Sequence, residues 1–546
     1  MSALATSGLA TSGRATSELE TRLGRRASRE ARRSPRRSRS RRMPAAGAQR
    51  AALIVVALAL GACGSSRPHR PPPRPAPVLG APRTLVVMLD AVPFESAAGL
   101  PLAADGERLF AELSEPVPLI SSFPSATTVA LTGMFEPIGI ERPPGYEARY
   151  FDRARREVIG GGLLSYRQIP FSWREFFDWK VHSLLRKAWG YVRPKKFSRW
   201  EVRRGVEAFL ESDEPYFFVY VGATDGVAHL EGPDGFDPVF LELDRALDEA
   251  RARETFHTVL LSDHGVGGGE LLDNVARAIR RTLRAAGLRP GERLRGDRDV
   301  VLVPFGLLSG FVVITPPGRE AEVARLVAAV EGVELCATPA ARPEPDADES
   351  WLVAGAAGDA TISRRERGGV VEWRYRLDGA DPPDVPVDAP VDVSIAEATA
   401  EVTEGAAGDP RASLVGPPAD PLGYGDLAGV WLGDAEWYRQ VADRRLPDAL
   451  HRIDRGFELT LNPASLLCSV SAGFMYGAIS TDLTSRITVG RLSYSHGGLE
   501  RDDSLGFFMT DHPALHPRGP APSGAVRFDR ALVGLGAPLP DAGGQH

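Results

Sequence analysis

Long runs of hydrophobic residues without polar alternation organise the body of the chain. Three of them, Thr84–Leu89, Tyr216–Gly222 and Phe256–Leu261, are each followed within a few residues by an aspartate. A run of this kind is typical of a strand that is buried on both faces, as in a parallel sheet. A fourth run, Phe311–Thr315, precedes a helical pattern over residues 319–330. Strands that alternate with helices predict an α/β fold, in which helices cover both faces of a mostly parallel sheet.

Acidic and imidazole side chains follow the ends of these runs. Asp90 comes directly after the first run, Asp225 soon after the second, and Asp263 and His264 after the third. In an open α/β sheet, ligands bind beyond the carboxyl ends of the strands. A single aspartate at such a position is most often a helix cap or a turn residue. Several runs that end in the same way favour a shared site.

Two further histidines fit the same site. Asp225 and His229 are four residues apart, so one helical turn or a tight loop directs both to one ion, and the neighbouring glycines favour the loop. His496 stands in a Ser-His-Gly-Gly turn. Carboxylate and imidazole groups are ligands of divalent metals such as zinc. The sequence therefore predicts a divalent metal site that is assembled from distant segments.

A hydroxyl-rich stretch, Ser-Ser-Phe-Pro-Ser at residues 121–125, precedes a helical segment that ends at Thr132-Gly133. A hydroxyl at a helix N-terminus gains from the amide donors and the dipole there. Beside a divalent metal, a serine can ionise and act as a nucleophile. A plain N-cap serine without chemistry explains the same stretch equally well when it is considered alone.

Taken together and in this order, the motifs resemble the alkaline phosphatase superfamily, and within it the nucleotide pyrophosphatase/phosphodiesterase branch. The resemblance spans about residues 83–515. It implies a three-layer α/β/α sandwich with a mostly parallel central sheet and inserted cap segments. It also implies an enzyme that hydrolyses phosphate esters and has a small anionic ester as substrate. The resemblance further implies two divalent metal ions, for which zinc is the expected metal.

The resemblance assigns roles to individual residues. Ser122 would be the nucleophile that attacks phosphorus and forms a covalent phospho-enzyme. Ser125 stands where this branch often has an asparagine that contacts the phosphoryl group, so Ser125 would bind the substrate. One metal ion would be held by Asp225, His229 and His496, and the other by Asp90, Asp263, His264 and Ser122.

Several positions depart from the family pattern. The family commonly has threonine as nucleophile where this chain has Ser122, and one extra residue precedes Thr132, so Ser121 and Ser125 are alternative nucleophiles. Sulfatases of the superfamily carry a Cys or Ser-x-Pro-x-Arg signature, whereas Ala126 follows Ser125 here. This argues against conversion to formylglycine. A sulfatase-like enzyme and a non-catalytic surface lipoprotein with the same fold are the alternative functions.

The N-terminal part of the chain differs in composition from the rest. Residues 1–42 contain 12 arginines and three glutamates, a net charge of +9, which predicts a disordered basic extension. Residues 43–62 have the pattern of a secretory signal. Its end, Leu-Gly-Ala-Cys, resembles the lipobox of bacterial lipoproteins, and that resemblance implies lipidation of Cys63. The Pro-rich segment 63–82 predicts a semi-rigid spacer.

The remainder of the chain is acidic, because 53 basic and 68 acidic residues give a net charge of −15. This charge argues against nucleic acid as a partner of the mature body. We expect an exported lipoprotein that is anchored to a membrane by its acyl chains and faces the periplasm or the cell exterior. Cys336 and Cys468 form either a disulfide or two buried thiols.

The catalytic domain is predicted to extend over residues 83–540, with two inserted segments. The first, near 134–209, is rich in aromatic residues and is either a lid over the site or, as the favoured interpretation, a packed helical layer. The second, near 340–430, is rich in Ala, Pro, Gly and Asp and predicts a loop-rich cap.

Overall fold

The computed structural model describes residues 81–102, 106–160, 171–303, 306, 308–378, 420–478, 482, 492–515 and 519–535. The predicted basic extension, signal and Cys63 lie outside these residues. The helices are α1 (Phe94–Ala98), α2 (Thr127–Phe135), α3 (Ser172–Phe176), α4 (Leu184–Val192), α5 (Pro194–Leu210), α6 (Ala223–Glu231), α7 (Asp237–Arg251), α8 (Ala276–Ala285), α9 (Glu320–Ala328), α10 (Asp434–Val441), α11 (Ala449–Glu458) and α12 (Arg501–Ser504). The strands are β1 (Arg83–Leu89), β2 (Val117–Ile120), β3 (Tyr150–Asp152), β4 (Glu157–Ile159), β5 (Tyr216–Val221), β6 (Phe256–Leu261), β7 (Gly267–Gly268), β8 (Asp273–Asn274), β9 (Arg289–Gly291), β10 (Asp299–Leu302), β11 (Gly310–Ile314), β12 (Val333–Pro339), β13 (Glu349–Gly355), β14 (Asp359–Arg367), β15 (Val370–Leu377), β16 (Trp431–Gly433), β17 (Leu466–Val470), β18 (Phe474–Met475), β19 (Tyr494–Ser495), β20 (Leu505–Thr510) and β21 (Val526–Arg527).

Six strands of the described chain form the first sheet, in the order β21-β2-β20-β6-β1-β5. β1 pairs in parallel with β5 and with β6, and β2 pairs in parallel with β21. β20 lies between β2 and β6 and runs antiparallel to both. The prediction of an α/β fold with a mostly parallel central sheet is therefore confirmed.

Helices pack on both faces of this sheet, because the side chains of each strand alternate between two cores. In β1, Leu85 and Val87 belong to a core that also contains residues of α5 and α7. Val86 and Met88 lie on the opposite face, in a core with residues of α2 and α3. All four side chains are almost fully buried. This burial on both sides is the reason why the strand shows no polar alternation in the sequence.

A second sheet of nine described strands, in the order β16-β15-β14-β13-β12-β17-β11-β10-β9, is largely antiparallel. The expectation that the run Phe311–Thr315 belongs to the parallel sheet is wrong, since this run forms most of β11, which is antiparallel to β10 and β17. β11 is buried along its whole length. An unbroken apolar run therefore does not distinguish the two sheets. The helical pattern after this run is α9.

Cys336 and Cys468, whose pairing the sequence left open, form a disulfide in the second sheet. They lie directly opposite each other on the antiparallel strands β12 and β17, with their Cα atoms 4.1 Å apart. Both residues are completely buried. The bond closes a loop with a sequence separation of 132 residues.

The two segments that the sequence predicted as insertions differ in structure. In the first, Trp173 and Phe176 pack in the core between α2 and the first sheet, whereas Trp189 and Tyr191 of α4 are exposed. In the second, the described part consists mainly of the strands β13, β14 and β15, not of loops. The buried Trp373 of β15 anchors this meander. No helix among the described residues is long and apolar enough to cross a membrane.

Candidate active site

The first group of predicted ligands lies at the carboxyl ends of β1 and β6. These parallel neighbours pair with Met88 opposite Leu261, so Asp90 and Asp263, two residues further along each strand, emerge side by side. Nε2 of His264 lies 3.4 Å from Oδ2 of Asp263 and 3.8 Å from Oδ1 of Asp90. All three side chains are buried, and their ligand atoms lie within 4.8 Å of one another.

The second group is formed by α6 and a loop near the C-terminal end of the described chain. Asp225 and His229 occupy one face of α6, with Nε2 of His229 3.2 Å from Oδ1 of Asp225. Nε2 of His496 lies 3.5 Å from the same oxygen. The sequence favoured a loop for residues 225–229, and the structure corrects this to a helix. Gly226 serves close packing instead, because a Cβ atom there would lie 3.2 Å from the carbonyl oxygen of Gly190.

The two groups are adjacent. The rings of His264 and His496 stack with their centroids 4.0 Å apart and an angle of 18° between their planes. His229 lies on the other side of His496, at a centroid distance of 5.1 Å. The structure therefore brings the six predicted aspartate and histidine ligands together, in the two sets of three that the resemblance implies.

Each of the three imidazoles is held by a backbone carbonyl through Nδ1. The pairs are His229 with Tyr494 (3.1 Å), His264 with Gly265 (3.0 Å) and His496 with Ser125 (3.0 Å). A carbonyl oxygen only accepts hydrogen bonds, so Nδ1 of each ring carries a proton and Nε2 is the nitrogen directed towards the carboxylates of the site. This is the usual way in which proteins orient histidines that bind metals.

Asp263 provides a test of whether a metal ion fits these residues. Its Oδ1 accepts hydrogen bonds from the amides of Ala91 and His264, each at 3.1 Å. Its Oδ2 is buried and has no hydrogen-bond partner among the described residues. A buried carboxylate oxygen without a partner is costly. A divalent cation among Asp90, Asp263 and His264 would satisfy it, so the residues fit the ion.

The electrostatics of the first group also favour a cation. Burial, together with the charges of Asp263 and Asp225, raises the pKa of Asp90 well above its usual range. Burial raises the pKa of Asp263 to about 7. Burial and the neighbouring His496 hold the pKa of His264 well below its usual range, so this imidazole is neutral. Carboxylates crowded in a buried site resist ionisation until a positive charge is present.

In the second group, a carboxylate and an imidazole each stabilise the charged form of the other. Burial opposes the ionisation of Asp225, but His229 and His496 outweigh it and hold the pKa of Asp225 well below its usual range. Burial likewise lowers the pKa of His229, but the charge of Asp225 outweighs it and raises this pKa. An ionised Asp225 at neutral pH is the state that a metal ligand requires.

A hydroxyl lies beside the first group, and it belongs to Thr127. Oγ1 of Thr127 is 3.2 Å from Oδ1 of Asp90 and 3.3 Å from Nε2 of His264. Thr127 is the first residue of α2, where the amides lack an intrahelical acceptor and favour anions. Sequence reasoning missed this residue, although its place at the start of a Thr/Ala-rich helical segment was the signal for it.

Ser122, the residue predicted as nucleophile and ligand, is placed differently. Its hydroxyl donates to the carbonyl of Pro124 at 2.9 Å, and its carbonyl accepts from Arg452 at 3.1 Å. The side chain is completely buried and bonded within its own loop. The helix begins five residues later than the serine, so the hydroxyl that reaches the metal ligands is that of Thr127. We therefore replace Ser122 with Thr127 in the proposal below.

The alternative serines also have other surroundings. The hydroxyl of Ser125, predicted to bind substrate, lies 2.9 Å from the carbonyl of Gly498 and accepts from Arg452 at 2.9 Å. Its contacts therefore lie within the protein. The hydroxyl of Ser121 is buried, without a partner among the described residues. Both serines belong to the loop that precedes α2.

Other side chains at the site were not predicted from the sequence. The phenol groups of Tyr220 and Tyr191 donate to Oδ2 of Asp90 and Oδ2 of Asp225, so each ligand group has one tyrosine behind a carboxylate. Glu147 accepts from the amide of Gly306 at 3.1 Å, and burial raises its pKa to about 7. No short motif marks the two tyrosines, because each lies far along the chain from the ligand that it contacts.

Comparison with known proteins gives matches among solved structures alone, since neither a scan against family models nor a search of curated proteins finds a match. Murine ectonucleotide pyrophosphatase/phosphodiesterase 5 has a TM-score of 0.37 and 12% identity, with 82% of this chain and 92% of that chain covered. The human protein gives the same values. Phosphonoacetate hydrolase from Sinorhizobium meliloti 1021 has a TM-score of 0.41 and 13% identity, with 83% and 96% covered.

These structural neighbours belong to the alkaline phosphatase superfamily.

Proposed function

We propose that the protein hydrolyses phosphate esters, with Thr127 as the nucleophile at a site for two divalent metal ions in a three-layer α/β/α fold. One observation carries this proposal: the hydroxyl of Thr127 lies 3.2 Å from Asp90 and 3.3 Å from His264, beside two adjacent groups of metal-binding side chains. A plain helix cap would not explain why the hydroxyl contacts two buried ligands of one group.

The residues that would hold the ions are Asp225, His229 and His496 for one, and Asp90, Asp263 and His264 for the other. Nitrogen and carboxylate ligands of this kind suit zinc. When bound, the two cations supply positive charge that lowers the pKa of a nearby hydroxyl and stabilises attacking and leaving oxygens. Three aspartates offset four positive charges, so the loaded site would retain a positive charge that suits an anionic ester.

The side chain of Thr127 and the backbone amides of α2 then have separate roles in the reaction. Oγ1 of Thr127 loses its proton to the solvent and attacks phosphorus in line, so that a new P–O bond forms and the bond to the leaving oxygen breaks. That oxygen takes up a proton and departs as the alcohol. A water molecule later loses a proton and attacks the same phosphorus, the bond between phosphorus and Oγ1 breaks, and Thr127 recovers a proton from the solvent while the phosphate product departs. The first amides of α2 face the anionic oxygens of the phosphoryl group, because a helix N-terminus offers unpaired N–H donors and a partial positive charge.

The test uses an aryl phosphodiester, an aryl phosphomonoester and an aryl sulfate, with zinc added to the purified protein. We expect turnover of phosphate esters, about two zinc ions per chain, and loss of activity after chelation. Thr127→Ala is expected to lower kcat on the order of 1,000-fold or more, whereas Ser122→Ala is the matched control and retains most activity. Faster turnover of the sulfate would favour a sulfatase, and a protein without zinc or turnover would favour a non-catalytic lipoprotein.

We also propose that the protein is exported and anchored to a membrane through a lipid on Cys63, facing the periplasm or the cell exterior. The buried disulfide between Cys336 and Cys468 supports an oxidising compartment. Cys63→Ala is expected to move the protein from the membrane fraction to the soluble fraction without loss of its phosphatase activity. Unchanged membrane association of this variant would contradict the lipid anchor.

A further inference from the structure

A completely buried arginine connects the two loops that complete the site. Arg452 of α11 has no exposed surface, and its guanidinium donates hydrogen bonds to neutral oxygens. Among the described residues, Nη1 donates to the carbonyls of Pro447 (3.1 Å) and Leu499 (2.9 Å). The two hydrogens of Nη2 are shared among four oxygens within hydrogen-bond distance, the carbonyls of Ser122 (3.1 Å) and Gly498 (3.2 Å) and the hydroxyls of Ser125 (2.9 Å) and Ser504 (2.7 Å), whereas Nε has no partner among these residues.

Most of these acceptors belong to two segments. The nucleophile loop, residues 121–126, leads directly into Thr127. The histidine loop, residues 496–500, begins with the metal-binding His496. Arg452 binds Ser122 and Ser125 in the nucleophile loop, and Gly498 and Leu499 in the histidine loop. One planar cation therefore contacts both loops.

The two loops also contact each other, and Ser125 makes each of these contacts. Its amide donates to Gly497 at 3.1 Å, its hydroxyl lies 2.9 Å from the carbonyl of Gly498, and its carbonyl accepts from Nδ1 of His496 at 3.0 Å. The last bond fixes the ring of His496. Because Nη2 of Arg452 donates to the Ser125 hydroxyl, the arginine acts on His496 through Ser125.

Stability alone gives a poor explanation of such an arginine. The guanidinium forms no direct ion pair among the described residues, although the charges of nearby carboxylates such as Asp448 and Asp503 favour its charged form. Such a buried charge is costly, and apolar residues of similar volume often stabilise a protein better. Burial lowers the pKa of Arg452 to about 10, so the guanidinium stays charged at neutral pH. What the guanidinium provides, and an apolar residue or a lysine does not, is a rigid fork of donors that fixes several oxygens at once.

We propose that Arg452 is a positioning residue, which holds the nucleophile loop against the histidine loop so that Thr127 and His496 face the same substrate. The inference rests on the proposed function for the role of Thr127. Its consequence for His496 does not depend on catalysis, because the orientation of His496 determines the affinity for a metal ion whether or not an ester is hydrolysed.

The experiment compares Arg452→Lys, which keeps the charge but loses the fork, with Arg83→Lys as a matched control. Arg83 donates to the carbonyls of Glu214 and Phe209 and pairs with Glu254, at the start of β1. It lies roughly 20 Å along the strand from Asp90. Calorimetric titration with zinc, kcat and KM for bis(4-nitrophenyl) phosphate, and melting temperature are measured for both variants and the unchanged protein.

We expect Arg452→Lys to weaken zinc binding and lower kcat by about 10- to 100-fold with little change in KM, as substitutions behind metal ligands do. Arg83→Lys is expected to lower the melting temperature while leaving zinc affinity and kcat unchanged. In Arg452→Ala, millimolar guanidinium chloride is expected to restore part of the zinc affinity and of kcat, whereas urea at the same concentration is not. A purely structural role of Arg452 would show no such selective rescue.

Zinc affinity and kcat of Arg452→Lys equal to those of the unchanged protein would overturn the inference. Failure of both Arg452 variants to fold would overturn it as well, because Arg452 would then serve the stability of the fold. If the unchanged protein binds zinc but cleaves no phosphodiester, the proposed function fails, and the zinc titrations of the variants still decide the role of Arg452.

Discussion

His264 and His496 stack with their ring centroids 4.0 Å apart, and each belongs to a different group of candidate metal ligands. His264 follows β6 in the first sheet, whereas His496 lies in a loop that Ser125 and Arg452 fasten to the start of α2. The contact makes the two groups parts of one site, because neither ring can move without disturbing the other. The first prediction follows from this contact.

We predict that His264→Ala weakens zinc binding at both groups, not only at its own. Removal of one ring leaves space beside the other, so we expect about 10-fold or greater loss of affinity at the remaining group. Calorimetric titration with zinc of His264→Ala, His496→Ala and the double variant measures this coupling, which should appear as non-additive losses. His257→Ala, at the opposite end of β6, is the control. Strictly additive losses would contradict the coupling.

The tyrosines behind the carboxylates are predicted to contribute unequally. Tyr220 donates to Asp90 from within the protein, whereas Tyr191, which donates to Asp225, is 46% exposed. Tyr220→Phe leaves a buried oxygen without its donor, which costs about 1–3 kcal/mol, so we expect about a 10-fold loss of kcat/KM. Water can replace the hydroxyl in Tyr191→Phe, and the loss should be smaller. Steady-state kinetics on an aryl phosphodiester measures kcat/KM for both variants. Equal losses of kcat/KM would show that burial does not determine the contribution of each tyrosine.

The third prediction concerns the pH dependence of stability. Burial raises the pKa of Asp454 to about 7, above its ordinary value of 3.8. The folded state therefore retains a proton that the unfolded state loses, and Asp454 reduces the free energy of unfolding progressively as the pH rises from about 4 to 7, by up to about 4 kcal/mol. Asp454→Asn should match the unchanged protein near pH 4 and be more stable above pH 7. Urea unfolding at several pH values measures this.

Asp529→Asn is a control, because its expected effect on the free energy of unfolding has the opposite sign. Burial opposes the ionisation of Asp529, but the interaction with His451, whose Nε2 lies 3.3 Å from Oδ2 of Asp529, outweighs burial and lowers the pKa of Asp529 to about 2. The ionised Asp529 stabilises the fold above pH 4 by up to about 2 kcal/mol, and this contribution disappears as the pH falls to 2. Asp529→Asn should therefore be less stable than the unchanged protein at pH 7. The same sign for both variants would contradict the assignment.

The fourth prediction concerns the disulfide. Cys336 and Cys468 close a loop with a sequence separation of 132 residues, which restricts the unfolded chain. The double variant Cys336→Ala, Cys468→Ala is expected to lose about 2–4 kcal/mol of unfolding free energy. Because both cysteines lie in the second sheet, zinc affinity at temperatures where the variant is folded should be unchanged. Reduction of the unchanged protein with dithiothreitol should give the same loss of stability, and no loss under either treatment would contradict the prediction.

The sequence predicts β1, β5 and β6 because each of these strands is a buried hydrophobic run of its own. The runs before Asp90 and Asp263 are buried on both faces, and the parallel pairing of β1 with β6 places these aspartates side by side. The division of the six ligands into two groups comes from the family resemblance, and the structure brings the same two sets together. Local patterns do not predict β2, β20 and β21, because their places in the sheet depend on long-range pairing.

The nucleophile shows a different limit of sequence reasoning. Ser121, Ser122 and Ser125 lie between β2 and α2, Thr127 is the first residue of α2, and each of the four has a hydroxyl that could act as nucleophile. Which hydroxyl faces Asp90 depends on where the helix begins, and the structure starts it at Thr127. Arg452 lies far along the chain, on α11, so that its contacts with the nucleophile loop become visible only in three dimensions.

The position of β20 has a consequence for biosynthesis. This strand, Leu505–Thr510, separates β2 from β6 and is among the last parts of the described chain to leave the ribosome. Until it emerges, the nascent polypeptide has no strand to join the two halves of the sheet, and its histidine loop has just been made. We therefore expect a chain truncated before residue 505 to lack the strand that connects β2 with β6, and to leave the first sheet incomplete.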